Sequence, residues 1–260
     1  MGIFIATQGK SFKKTNFIIL FITFKPYHII MPTKTICLWA IASAASLFGA
    51  CDTSNKPAAA ATTTEIEYYI RYTEHDFTLK AEAMFRTKDT ARKVPGGVML
   101  NGTALVETNA PRRGGVLYSA QGQKAKFDSS YSFSYSDPNL GKLLTHKVNF
   151  QSAREVQFES GVLSKAKGGK LRWTGKPLRN GEELLLQIEG KGGVKEIRIV
   201  GPTVVPGFAL GPNQTDLLEV GAATVNAVRL QRVPLPESLN TRGVIGTEFY
   251  AETVKINIIP

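Results

Sequence analysis

Residues 66–72 read Ile66-Glu67-Tyr68-Tyr69-Ile70-Arg71-Tyr72, and they decide the fold class. Ile66, Tyr68, Ile70 and Tyr72 alternate with Glu67, Tyr69 and Arg71. A period of two is the signature of a strand with one face buried and one wet. The same alternation recurs downstream. Phe77, Leu79, Ala81, Ala83 and Phe85 alternate with Thr78, Lys80, Glu82 and Met84. Tyr131, Phe133 and Tyr135 alternate with Ser130, Ser132, Ser134 and Ser136. Further strands are predicted over 97–107, 142–150, 169–174, 182–189, 194–200, 223–232 and 247–258. Between them stand turn signals: Pro95-Gly96-Gly97, Arg113-Gly114-Gly115, Asn180-Gly181, Gly192-Gly193 and Gly211-Pro212. The best helical stretch is short, Asn213 to Val220, with Thr215 expected to cap Asp216-Leu217-Leu218-Glu219 before Gly221 ends it.

Many short strands, regular turns and almost no helix predict an all-β barrel or sandwich, and the lead reading is sandwiches. Length suggests two of them. From Cys51 onward the chain has 210 residues, more than one sandwich of about 100 needs. The character changes at 151–168, so domains are expected at 65–156 and 157–260. In architecture alone they resemble tandem immunoglobulin-like modules. One continuous larger sandwich is the alternative.

Upstream of these strands the chain has a different character. The first 50 residues hold Lys10, Lys13, Lys14, Lys25 and Lys34 and no acidic residue. Residues 31–51 contain every part of a secretory signal. Lys34 supplies the charge, Ile36 to Leu47 is apolar or small apart from Ser43 and Ser46, and Gly49 and Ala50 are small enough for a peptidase. Leu47-Phe48-Gly49-Ala50-Cys51 resembles the lipobox of bacterial lipoproteins, although Phe48 stands where that family prefers Leu. The resemblance covers about 20 residues. It implies a type II signal peptide over 31–50, cleavage before Cys51, and lipid (palmitate among the acyl chains) on that cysteine. Met31 is then the expected start, with 1–30 a mis-assigned extension; one long leader is the alternative.

Residues 52–64 contain no large apolar group, so they cannot bury enough surface to offset the entropy of ordering. Together with Cys51 they read as a tether that reaches about 45 Å when extended. One acyl chain anchors a protein only marginally, at about 0.8 kcal/mol per buried CH₂. The two or three chains that the resemblance implies hold it firmly. The expected location is the bacterial cell envelope, at the outer membrane, on its periplasmic or surface face.

Composition narrows the function. The formal charge is +11; without the five leader lysines, 27 basic and 21 acidic residues remain, a net +6. Each predicted domain holds 13 basic and 10 acidic residues, too even for a nucleic-acid footprint. The other cysteine, Cys37, falls in the leader, so neither a disulfide nor a cysteine metal site is expected. His75 and Asp76 are neighbours, which on a strand would point to opposite faces. No Gly-x-Ser-x-Gly, His-Glu-x-x-His or P-loop occurs, and no cofactor motif. Asp137-Pro138-Asn139-Leu140-Gly141 has part of a calcium-loop spacing but too few oxygen ligands, so it reads as a turn. Asn101-Gly102-Thr103 matches a glycosylation sequon, which carries little weight in a bacterium.

Three features are candidate sites. Lys165, Lys167, Lys170, Arg172, Lys176 and Arg179 lie between Glu159 and Glu182 with no acid among them. They suit contact with anionic glycan, lipopolysaccharide or lipid headgroups; the alternative is a solvated hairpin edge kept from aggregating by its lysines. Tyr131, Phe133 and Tyr135 are either a sugar-stacking platform or the inward face of a strand. Trp173 is expected between sheets. The functional expectation is an anchored, non-catalytic envelope protein with a binding or structural role, its ligand unnamed by the sequence and its partner another envelope protein or a glycan. The rival is an anchored hydrolase of envelope carbohydrate, since paired carboxylates leave no linear signature.

Overall fold

The computed structural model describes residues 63–88, 90–110, 115–137, 140–236 and 241–260. Leu47–Cys51, and with it the expected lipid site and tether, lies outside the described residues. The described chain is all-β. In order it forms β1 (Thr64–Thr73), β2 (Thr78–Thr87), β3 (Thr90–Ala91), β4 (Val98–Leu100), β5 (Thr103–Ala104), β6 (Val106–Ala110), β7 (Gly115–Gly122), β8 (Ser130–Asp137) and β9 (Lys142–Asn149). There follow β10 (Ala153–Phe158), β11 (Val162–Ser164), β12 (Gly169–Gly175), β13 (Glu182–Gly190), β14 (Gly193–Val200) and β15 (Gly207–Leu210). A single helical turn, α1 (Pro212–Thr215), precedes β16 (Gly221–Pro234), β17 (Thr241–Tyr250) and β18 (Val254–Ile259).

Three sheets result. The largest runs β11-β18-β16-β17-β1-β2-β7-β6, with the hairpin β13–β14 also paired to β16 and β3 to β2. The others are β5-β4-β8-β9 and β10-β12-β15. β1 sits in the middle of the large sheet. It pairs antiparallel with β2 and parallel with β17, from Thr64↔Thr241 to Thr73↔Tyr250. The large sheet takes strands from both sides of residue 156: β1, β2, β3, β6 and β7 before it and β11, β13, β14, β16, β17 and β18 after it.

The alternation in β1 explains its placement. Ile66, Tyr68, Ile70 and Tyr72 are buried and face the core. The β8 aromatics meet them there. Tyr68 and Phe133 stack at 4.2 Å between ring centroids, and Phe85 meets Tyr135 edge-on at 4.8 Å. Tyr131, Phe133 and Tyr135 are thus the inward face of a strand, and no exposed sugar platform exists there. Trp173 is buried as expected, with its indole N–H donating to the Lys176 carbonyl at 3.1 Å.

The Lys176 carbonyl also takes part in a buried ion-pair cluster that joins strands to loops. Arg229 on β16 reaches the Glu182 carboxylate, at 2.5 Å, and donates to the carbonyls of Ser152, Lys176 and Pro177. Both side chains are at most 1% exposed.

Local readings needed three corrections. The helical turn starts earlier than expected, at Pro212 after Gly211, and Thr215 ends it. Thr215 is buried and its hydroxyl donates to the Lys165 carbonyl at 3.0 Å, so tertiary contact outweighed capping. The predicted strand 97–107 is broken at Asn101-Gly102, both with positive φ (48° and 81°), which makes a tight hairpin between β4 and β5. The run 247–258 divides into β17 and β18 at residues 251–253. His75 and Asp76 lie in the β1–β2 turn, where Asp76 accepts from the Thr78 N–H at 3.1 Å.

Candidate functional site

The wet face of the large sheet carries the most organised polar chemistry. Along β1 the outward residues are Glu65, Glu67, Tyr69 and Arg71. The parallel register sets beside them Arg242, Val244, Gly246 and Glu248 of β17. β2 flanks one side with Arg86, Met84, Glu82 and Lys80, and β16 the other with Pro234, Arg232 and Leu230. These residues form one face along β1 and β17, bounded by β2 and β16.

Its upper end is a four-residue network centred on Glu248. The Tyr69 hydroxyl donates to Glu248 Oε2, and Tyr250 donates to the same oxygen at 3.1 Å. Arg71 Nε donates to the Tyr69 oxygen at 2.7 Å and to Glu248 Oε2 at 3.1 Å, and Nη2 lies 3.0 Å from that oxygen. The Arg71 guanidinium lies 5.0 Å from the Tyr250 ring centre and 5.5 Å from that of Tyr69, within range of attraction to their π faces. Burial, then the adjacent Glu248 carboxylate, pushes the Tyr250 phenol up to about 12. The same two causes raise Tyr69 further still. Burial lowers the Arg71 pKa, but Tyr69 and Glu248 outweigh it and hold the cation. Near neutral pH the network thus offers two phenol donors and a guanidinium around one carboxylate.

The lower end of the face holds a cavity of about 360 Å³ lined by both Glu65 and Glu67, by Arg86, Arg232 and Arg242, and by apolar Met84, Pro234 and Val244. Arg242 forms an ion pair with Glu65. Gly246 leaves the floor between the two ends bare. A Cβ there would meet only the Tyr69 ring at 3.6 Å among side chains.

The predicted basic stretch is centred on β12. Lys170 and Arg172 share the outward face of β12, and both pair with Glu159, Lys170 at 3.9 Å. Arg179 lies 3.6 Å from Glu182. The two acids that bracket the run in sequence thus fold back onto it. Lys165 and Lys167 lie before β12 and Lys176 and Arg179 after it, so the strand's length of about 20 Å separates the pairs. Acids thus lie beside three of the six cations, Lys170, Arg172 and Arg179.

Sequence reasoning missed the Glu248 network. Tyr69 and Arg71 counted only as the wet partners in an alternation, and Glu248 as one residue of a strand. The available signal was the pair Gly243 and Gly246 within a strand, since glycine there marks a close approach of side chain or backbone.

Among the described residues, no three His, Cys, Asp or Glu side chains are grouped to hold a metal ion, and no helix is long and apolar enough to cross a membrane. Compared with known proteins, the chain matches no protein-family model and no curated protein.

Proposed function

We propose that the chain is a lipid-anchored protein of the bacterial cell envelope whose β-sandwich body is a non-catalytic binding module. One observation carries the anchor: the lipobox-like run ends at Cys51, and only a short polar stretch separates it from β1. The binding role is supported by the Glu248 network, which holds two phenols and a guanidinium in fixed relation on a solvent-facing sheet. Hydrolysis of envelope carbohydrate is the second reading, favoured by Glu65 and Glu67 in one cavity. Their Cα atoms are about 7 Å apart at strand spacing. Against it, Glu65 is committed to Arg242.

The test is replacement of the cysteine. Cys51→Ser in the native cell is expected to move the protein from the membrane to the soluble fraction. The wild-type membrane form should have the mass of a chain that begins at a lipidated Cys51. An unmodified Cys51 in membrane-bound protein would overturn the anchor.

A further inference from the structure

We propose that the Arg71–Glu248 network is a subsite for a neutral, hydroxyl-rich oligosaccharide, which lies along β1 and β17 with its next unit toward the cavity. The inference rests on reading the body as a binding module and names its ligand class.

The hydrogen-bond inventory carries it. Every protein contact to the Glu248 carboxylate converges on Oε2. Oε1, with two lone pairs, keeps its acceptor capacity. Arg71 uses Nε and Nη2, which leaves the Nη1 donors. A rigid planar acceptor beside a rigid planar donor is the complement of two adjacent hydroxyls. One hydroxyl donates to Oε1 while its neighbour accepts from Nη1, and both bonds are charge-assisted. The groups are reachable, since the Arg71 and Glu248 side chains are 42% and 24% exposed.

The network is also fixed before any ligand arrives. Tyr69 and Tyr250 clamp the carboxylate, so binding loses little side-chain freedom. Because burial and Glu248 raise both phenols, they remain donors across the neutral range.

Charge balance selects neutral over polyanionic sugar. The face is organised as pairs: Arg71 with Glu248, Lys80 with Glu82, and Arg242 with Glu65. A polyanion is drawn by a surplus of cations and would meet a carboxylate beside three of the five cations here. Hydroxyls are indifferent to net charge and gain from dense donors and acceptors.

The experiment uses the full-length protein in detergent micelles. Chitohexaose, maltohexaose and laminarihexaose serve as probes and heparin as the polyanionic comparator, read by saturation-transfer NMR and calorimetry. Sugars are taken to about 10 mM, which fills even a millimolar site. At least one neutral hexasaccharide should bind. Glu248→Gln should weaken it at least tenfold, and Tyr250→Phe severalfold with the ring retained. Affinity should hold as salt rises from about 0.05 to 0.5 M, because screening acts on net charge. Thermal unfolding confirms that each variant is folded; if Glu248→Gln is not, Tyr250→Phe decides.

Three results overturn the proposal: no neutral sugar binds, binding ignores both variants, or heparin binds instead with a steep salt dependence. Membrane retention through Cys51, measured in the same cells, separates the two readings. If retention holds and the sugars fail, the sugar subsite falls and the anchor stands; if retention fails and a sugar binds, the anchor falls and the subsite stands.

Discussion

Arg229→Met tests how the second half of the chain is held together. The arginine contacts Glu182 and three main-chain carbonyls, those of Ser152, Lys176 and Pro177, from the middle of β16. Methionine keeps much of the apolar stem and removes the charge. Glu182 is fully buried and would keep only the Arg179 N–H at 2.8 Å and the more distant Arg179 guanidinium. Breaking one side of a buried pair costs about 3–5 kcal/mol. Carbonyls left without a donor add about 1 kcal/mol each where water cannot reach them. The expected loss is about 4–6 kcal/mol, and near 2–4 °C per kcal/mol for a body of this size, Tm should fall by about 8–24 °C. Urea and thermal unfolding of Arg229→Met, Glu182→Gln and the double variant complete a cycle. The double variant should lose at least about 2 kcal/mol less than the two single losses summed, because no charge is left stranded. A single loss below about 1 kcal/mol, or simple additivity, refutes the assignment of Arg229 as the buried joint.

Two further predictions concern the parallel pairing and the four-stranded sheet. A Cβ on Gly243 would lie 1.9 Å from the Ile66 carbonyl oxygen, whereas one on Gly246 meets the Tyr69 ring at an ordinary 3.6 Å. Gly243→Ala should therefore cost about 3 kcal/mol or more and Gly246→Ala less than about 1, measured by urea unfolding; equal costs would rule out the β1–β17 register. His146 on β9 lies against Tyr68, with its Nδ1 3.2 Å from the phenol oxygen, and burial lowers its pKa. The unfolded chain then takes up this proton first, so His146 leaves stability intact above about pH 6.5 and erodes it as pH falls toward the folded-state pKa. His146→Gln should flatten that part of the profile between pH 7 and 5, and an unchanged slope would show that the ring is not buried neutral.

How much was legible follows from the range of each interaction. The buried positions of β1 and β8 were readable because a period of two is local and the residues opposite were equally apolar. Asn101-Gly102 carried a hairpin signal too, yet it sat inside a stretch whose composition suited one continuous strand. Thr215 had the chemistry of a cap, but the carbonyls of Ser164 and Lys165 offered its hydroxyl partners that no neighbouring residue announces. The Glu248 network lay beyond reach for the same reason. Arg71 and Glu248 are 177 positions apart, and only a parallel pairing of the first strand with the last but one brings them together. Local periodicity says which face is wet; it does not say which strand will be the neighbour.

That pairing bears on the proposed anchor. If the chain is tethered through Cys51, any load between membrane and body enters at Thr64, the first residue of β1. An edge strand in that position could be peeled away one hydrogen bond at a time. β1 is instead central, paired along ten residues with β2 on one side and ten with β17 on the other. Its inward side chains, Tyr68 among them, are locked under the β8 aromatics. A pull along the tether must shear both ladders together. Two residues of the proposed sugar subsite, Tyr69 and Arg71, lie on this same strand, and their partners Glu248 and Tyr250 lie on the strand beside it. Force from a bound polymer would thus pass to the tether along β1 and its immediate neighbour, without crossing the sandwich core. The middle of the sheet is where a tethered binding module most needs its first strand.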